Sequence, residues 1–160
     1  MLTTNGQRES TQDLAAKVFA ELRTLLLSFE EGALKGDVES IHDMRVTTRR
    51  FRVALSNFAM CVPLETRQRA KTDVNQLADT LGKVRDIDVM LDSLTVIEEG
   101  EPVARKPIIA DLHARLTRRR KYHQQSLVRY LRSADFRELK DSLSELTNGE
   151  TVQGQEDVSG

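Results

Sequence analysis

The sequence is poor in the residues that stabilise small or β-rich proteins: it contains no tryptophan, one cysteine and three prolines, and 4% of its 160 residues are aromatic. Because Cys61 is the only cysteine, an intrachain disulfide is excluded, which fits a reducing cytoplasmic setting. No apolar run approaches the roughly 18 residues of a membrane span, and the polar N-terminus lacks the apolar core of a signal peptide. With 31% charged residues, this composition favours long charged helices. We therefore expect an all-α, cytoplasmic protein with no membrane partner.

Charge is unevenly distributed along the chain, although the net charge is only −1. Residues 103–132 contain nine lysines or arginines and one acid, so their formal charge is +8. Residues 136–160 contain two basic and six acidic residues, so their formal charge is −4. Because the field that steers a ligand is local, the balanced total does not argue against a polyanionic partner.

Apolar residues recur at helical spacing and predict an antiparallel bundle of about four long helices plus a short C-terminal helix. We expect one helical domain over residues 11–147, between a flexible N-terminus (1–10) and a disordered acidic tail (148–160). The predicted helices span residues 11–31, 38–61, 64–97, 108–132 and 136–146, with 32–36 as a break.

Capping residues and one internal glycine refine this prediction. Ser10 with Asp13 indicates the start of the first helix, and Asp37 the start of the second. Asp135 and Glu138 form a capping-box pattern before the last helix. Gly82 lies inside the third helix, where glycine costs about 1 kcal/mol relative to alanine, so we expect a neighbouring backbone to approach closely there.

The most informative stretch is the second helix, which carries two parallel stripes of side chains. His42, Arg45, Arg49 and Arg52 fall on one side, and we call these four residues the basic row. Like charges one turn apart repel one another, so such a row favours an anion as its partner. The alternative is a solvated face whose arginine stems cover apolar surface. The adjacent apolar stripe, predicted to be buried, consists of Ile41, Met44, Phe51, Leu55 and Phe58.

The third helix places two carboxylates near the core. Asp88 lies in line with the apolar stripe of its helix, so an ionised carboxylate there needs a partner, and Arg45 or Arg49 are the candidates. We interpret Asp86 and Asp88 as structural ion pairs that fix arginine side chains. The three histidines are scattered without metal-ligand spacing, and no nucleophile–base pair is visible, so neither a metal, a cofactor nor catalysis is expected.

The fourth helix contains a cluster of cations. Arg115, Arg118 and Arg119 share a face at helical spacing and are expected to contribute to the basic surface. Arg120 and Lys121 are expected to be more solvated. Arginine suits such a surface because its planar fork binds two phosphate oxygens and stays charged at neutral pH.

Two motifs resemble those of the CHAD domain family (conserved histidine α-helical domain). The first is IHDMRVTTRRFRVALSNF, residues 41–58, which is similar to the family's His-then-Arg helix. The second is LADTLGKVRDIDVML, residues 77–91, where Arg85, Asp86 and Asp88 match the family's Leu-Gly-x-x-Arg-Asp-x-Asp element. The resemblance covers roughly residues 14–146.

The resemblance implies a non-enzymatic module that binds inorganic polyphosphate in a basic cavity and associates in some members with polyphosphate granules. A full member has two such bundles, whereas each motif occurs once here, so the chain resembles the N-terminal half. A homodimer would complete the two-repeat cavity. Binding to a nucleic-acid backbone and a ligand-free structural module are the alternatives. The expected polyphosphate contacts are His42, Arg45, Arg49, Arg52, Arg85, Arg115, Arg118 and Arg119.

Overall fold

The computed structural model describes residues 9–148, which form helices and connecting turns without any β-strand. The predicted all-α fold is confirmed. The parts of the predicted flexible N-terminus and acidic tail at residues 1–8 and 149–160 lie outside the described residues. The helices are α1 (Thr11–Ser28), α2 (Glu30–Leu34), α3 (Val38–Asn57), α4 (Leu64–Gly100), α5 (Lys106–Leu131) and α6 (Ala134–Thr147).

Side-chain caps fix where three of these helices begin. Ser10 and Asp13 form a capping box at the predicted start of α1. The Asp37 carboxylate accepts a hydrogen bond from the Ser40 backbone N–H at 2.8 Å, so the predicted cap of α3 is confirmed. The prediction for α6 was wrong, because Ser133 caps that helix by accepting from the Phe136 N–H.

The segment between α1 and α3 is helical rather than an open break. α2 is a five-residue helix that includes Gly32, where a β-carbon would collide with the Ser40 hydroxyl. Gly36 follows with φ of +78°, a left-handed conformation that glycine adopts without strain. This tight turn sets the start of α3, which ends at Asn57 and is followed by a 3₁₀ turn, Ala59–Cys61, within the span that was predicted as one helix.

The core lies between α4 and its neighbours, since α4 packs against α3, α5 and α6, and α1 packs against α3 and α6. Phe19 of α1 stacks on Phe51 of α3 with ring centroids 6.5 Å apart. In the apolar stripe predicted for α3, Phe58 is half-buried and the other four residues are fully buried, which confirms that face. No described helix is long and apolar enough to cross a lipid bilayer.

The far end of α4 and the start of α5 extend beyond this core as a two-helix arm, which we define as residues 89–118. The core residues of α4 end at Val84, and those of α5 begin at Leu127. Within the arm only Leu94 and Ile109 are fully buried, and neither belongs to the main core. α4 is 37 residues long, so it continues well past the 20-residue α3 that packs against it.

Candidate functional site

The basic row lies at the surface of α3, beside the stripe that α3 buries. Arg45, Arg49 and Arg52 are exposed and His42 is half-buried. The apolar side chains next to them anchor the helix, so the cations stand at the edge of a fixed core contact. The three arginines and the histidine extend over about 15 Å at the rise of an α-helix.

Arg45 extends from α3 across the surface of α4. Its Nε lies 3.6 Å from the position that a β-carbon on Gly82 would occupy. The neighbour of Gly82 is therefore a side chain of the basic row and not the backbone that was predicted. The contact joins the two sequence motifs in space, because Gly82 is part of the second motif and Arg45 of the first.

Replacing Gly82 with alanine is expected to stabilise the protein. A separation of 3.6 Å is ordinary van der Waals contact, and alanine is favoured over glycine inside a helix by about 1 kcal/mol. We expect Gly82→Ala to raise the free energy of unfolding by about 0.5–1 kcal/mol in urea denaturation. Gly32→Ala is the matched comparison and should destabilise, since its methyl group would collide with Ser40. A loss of stability in Gly82→Ala would show that Arg45 packs more tightly than this geometry indicates.

Arg52 shares a cleft of about 290 Å³ with two cations of α4, Arg67 and Lys71. Arg67 is held in place because it donates a hydrogen bond to the Ala59 carbonyl at 3.1 Å. Neither Arg67 nor Lys71 is among the residues predicted from the sequence. Lys71 could have been predicted from the sequence, because it precedes Gly82 by three helical turns and so lies on the same side of α4.

Arg49 borders a different cleft from Arg52. This second cleft lies between α1 and α3, has a volume of about 480 Å³, and is lined mainly by apolar side chains, with Arg49 and Arg50 among its lining residues. The basic row is therefore continuous along α3 but adjoins two clefts, with Arg52 at the α4 side and Arg49 at the α1 side.

None of the four side chains in the basic row forms an ion pair with a carboxylate within residues 9–148, the part of the chain that the structure describes. Other cations are paired: Arg115 with Asp111 at 2.9 Å, and Lys140 with Glu30 at 3.0 Å. The positive charge of the row is thus not neutralised by the described part of the protein.

Asp88 is buried, as predicted, but its partner is Arg120 of α5 and not Arg45 or Arg49. Arg120 donates from Nε to Asp88 Oδ1 at 2.5 Å and from a terminal nitrogen to the Gly36 carbonyl at 3.0 Å. The expectation that Arg120 is solvated was wrong, because its side chain is 19% exposed. One guanidinium therefore joins α5, α4 and the turn before α3, and Asp88 is a structural ion pair.

Asp86 differs from Asp88, because it is exposed and has no ion-pair partner among the described residues. It lines a cleft of about 260 Å³ between α4 and α5, together with Lys83, Arg119 and His123. Burial lowers the pKa of His123, and the nearby charges of Arg119 and Lys83 lower it further. The interpretation of Asp86 as a buried or half-buried ion pair was wrong.

The remaining predicted contacts are distributed over α4 and α5. Arg85 is half-buried on α4. Arg115 and Arg118 are exposed on α5 and do not line the clefts described above, whereas Arg119 does. Among the described residues, no group of three or more His, Cys, Asp or Glu side chains could hold a metal ion.

Fold and site together define an all-α bundle in which one helix presents three arginines and a histidine that have no ion-pair partner among the described residues. The chain matches the model of the CHAD domain over residues 17–159, and it therefore belongs to the CHAD domain family. Domains of this family are generally binding modules rather than enzymes, and membership is compatible with polyphosphate binding in general. No curated protein and no solved structure shows a significant match to the chain.

Proposed function

We propose that this protein binds inorganic polyphosphate through the basic row and the neighbouring cations of α4, and that it catalyses no reaction itself. The observation that carries the proposal is that His42, Arg45, Arg49 and Arg52 stand in a row without an acidic partner in residues 9–148. A structural role for these arginines as ion pairs would require internal acids, which the described residues do not supply.

The geometry suits a linear polyanion better than a single phosphate. The row offers a cation at about every turn of α3, so successive phosphates of an extended chain meet successive side chains. Arg52, Arg67 and Lys71 lie together in one cleft at the end of the row, which adds positive charge from α4. The guanidinium groups can each bind two phosphate oxygens, and family membership is compatible with this ligand class.

Binding to nucleic acid is the weaker candidate, because single-stranded nucleic acids need exposed aromatic side chains on which bases stack. All seven aromatic residues of the sequence lie in the described range. Only Tyr122 is exposed, and it lies on α5 and not on the helix that carries the basic row. We also propose that the protein acts in the cytoplasm and is located at polyphosphate granules there.

Thermal unfolding with and without long-chain polyphosphate tests the proposal. A ligand that binds only the folded protein raises Tm by mass action, so we expect a rise of several degrees at low salt. The rise should shrink as salt increases, because binding to a phosphate chain releases condensed counterions. Inorganic phosphate at equal phosphorus concentration is the control and should give a smaller rise.

A competition experiment distinguishes polyphosphate from nucleic acid as the preferred ligand. Polyphosphate labelled with a fluorophore is bound first, and unlabelled tRNA or single-stranded DNA is then added at equal phosphate concentration. We expect unlabelled polyphosphate to displace the label at much lower concentration than either nucleic acid. Equal displacement by all three would favour the nucleic-acid alternative, and an unchanged Tm at low salt would contradict any polyanion function.

A further inference from the structure

The arm carries a concentration of exposed apolar side chains. Seven of the thirteen large apolar side chains that are exposed in residues 9–148 lie within residues 89–118. Val96 and Ile108 are the most exposed of those inside its helices, at 70% and 71%. Single exposed apolar residues are normal, but a concentration of them on two packed helices is typical of a surface that binds another molecule.

The exposed apolar side chains of the arm form a stripe on each of its two helices. Val89 and Val96 are seven residues apart on α4 and so share a side of that helix. Ile108 and Leu112 are four residues apart on α5 and so form a stripe on that helix. Met90 is exposed on the arm and also lines the cleft with Arg119, so the apolar face begins where the basic surface ends.

Charge on the arm is sorted by helix. Residues 91–101 contain four acids and no lysine or arginine, whereas residues 102–118 contain four basic residues and one acid. Asp92 and Glu99 each follow a valine of the apolar stripe by three residues, so they border it on α4. Arg115 follows Leu112 by three residues and borders the stripe on α5.

We propose that the arm binds the arm of a second copy of this chain, in a two-fold arrangement that places the α4 segment of each copy against the α5 segment of the other. The apolar stripes then cover one another, and the acidic helix end of each copy meets the basic helix of its partner. An isologous contact requires such a self-complementary face, and the sorted charges provide it.

The expected dimer is weak and does not depend on the ligand. Each arm helix is about 18 Å long and two packed helices are about 20 Å wide, so each copy contributes a face of about 360 Å², which is in the range of weak, transient interfaces. We therefore expect dissociation in the micromolar range. The contact involves the arms rather than the two basic rows, which repel one another.

Sedimentation equilibrium of the full chain without polyphosphate tests the proposal. We expect a monomer–dimer equilibrium, with the dimer dominant at about 100 μM. Val96→Glu/Ile108→Glu should be monomeric at this concentration. Met60→Glu is the control, because Met60 is 92% exposed but lies outside the arm, and this variant should dimerise like the natural chain. A monomeric natural chain, or a dimeric double variant, would overturn the proposal.

Charge reversal tests the arrangement of the two arms. One variant carries Asp92→Lys/Glu99→Lys, and a second carries Arg105→Glu/Arg115→Glu. Arg105 stands directly before α5, three residues before Ile108, and pairs with Glu101 of its own chain at 3.3 Å. Each alone should dimerise at least tenfold more weakly, since like charges would then face one another, whereas an equimolar mixture should form a heterodimer of natural affinity. A mixture that stays monomeric would overturn the arrangement. Polyphosphate binding is scored separately by Tm, so its failure would leave the dimer result intact.

Discussion

Replacing Arg120 with leucine is expected to lower the free energy of unfolding by about 3–5 kcal/mol, because it leaves a buried carboxylate without its counter-charge. The Asp88 side chain is 3% exposed and accepts from Arg120 at 2.5 Å. The same substitution removes the donor that reaches the Gly36 carbonyl. Urea denaturation monitored by circular dichroism measures the loss.

An exposed ion pair on the same helix provides the control. Arg115 pairs with Asp111, but these side chains are 69% and 59% exposed, and such pairs contribute about 0–1 kcal/mol. Arg115→Leu should therefore change stability by less than 1 kcal/mol. The double variant Asp88→Leu/Arg120→Leu should recover part of the loss, because it removes the unpaired charge as well. Equal losses in Arg120→Leu and Arg115→Leu would show that the buried pair has no special role.

Removing the three arginines of the basic row is expected to weaken polyphosphate binding by roughly 1,000-fold. Contacts to charged groups contribute about 1.5–3 kcal/mol each, and the loss of three of them gives at least this effect. The variant Arg45→Ala/Arg49→Ala/Arg52→Ala should still fold, because all three side chains are exposed and unpaired with acids in the described residues. Fluorescence anisotropy with labelled polyphosphate measures the affinity, and a shallower salt dependence should accompany the loss.

A control variant with the same change in net charge distinguishes binding by the basic row from an effect of the overall charge of the protein. Lys121, Arg132 and Arg137 are exposed cations on or beside α5 and α6, outside the clefts next to the row. Their triple replacement with alanine should change affinity by no more than about threefold, since distant surface charges are screened by salt. If both triple variants lose affinity equally, binding depends on overall charge and the proposed site is wrong.

Periodicity alone predicted most of the fold. The apolar stripes of α3 and α4 require helices, and the glycine and proline positions limit where these helices end. The caps at Ser10 and Asp37 could be predicted because a capping side chain acts within its own turn. The cap of α6 was assigned to Asp135, two residues late, since Ser133 and Asp135 are both residues that favour this position. In the structure Asp135 instead accepts from Gln76 of α4.

The ion-pair partner of Asp88 could not be predicted from helical spacing. The helical spacing shows that Asp88 faces the core, but it does not show which neighbouring helix lies there, and the chosen neighbour was α3 instead of α5. A signal for Arg120 was present, because Arg120 precedes the buried Leu127 by seven residues and so lies on the same stripe of α5. This signal was hard to recognise, because Arg120 belongs to a run of four consecutive cations and only one member of the run can face inward.

The basic row could be placed on one side of α3 from spacing, and the structure has its three arginines exposed and His42 half-buried. The cations that α4 adds could not be placed, because the register between two packed helices depends on side-chain volumes along the whole contact. Gly82 was recognised as a position of close approach, but the approaching group, the Arg45 side chain, follows only from that register.

The uninterrupted course of α4 has a consequence for how long a polyanion must be. This one helix holds Gly82 beneath Arg45 and, fourteen residues further on, Val96 of the arm, at a distance of about 21 Å along its axis. If two arms pair, the two basic rows are therefore held at a fixed distance from one another. A chain too short to span that separation binds each row independently. Once the chain is long enough, its second contact becomes intramolecular, and avidity rather than any new contact makes the long polymer the preferred ligand.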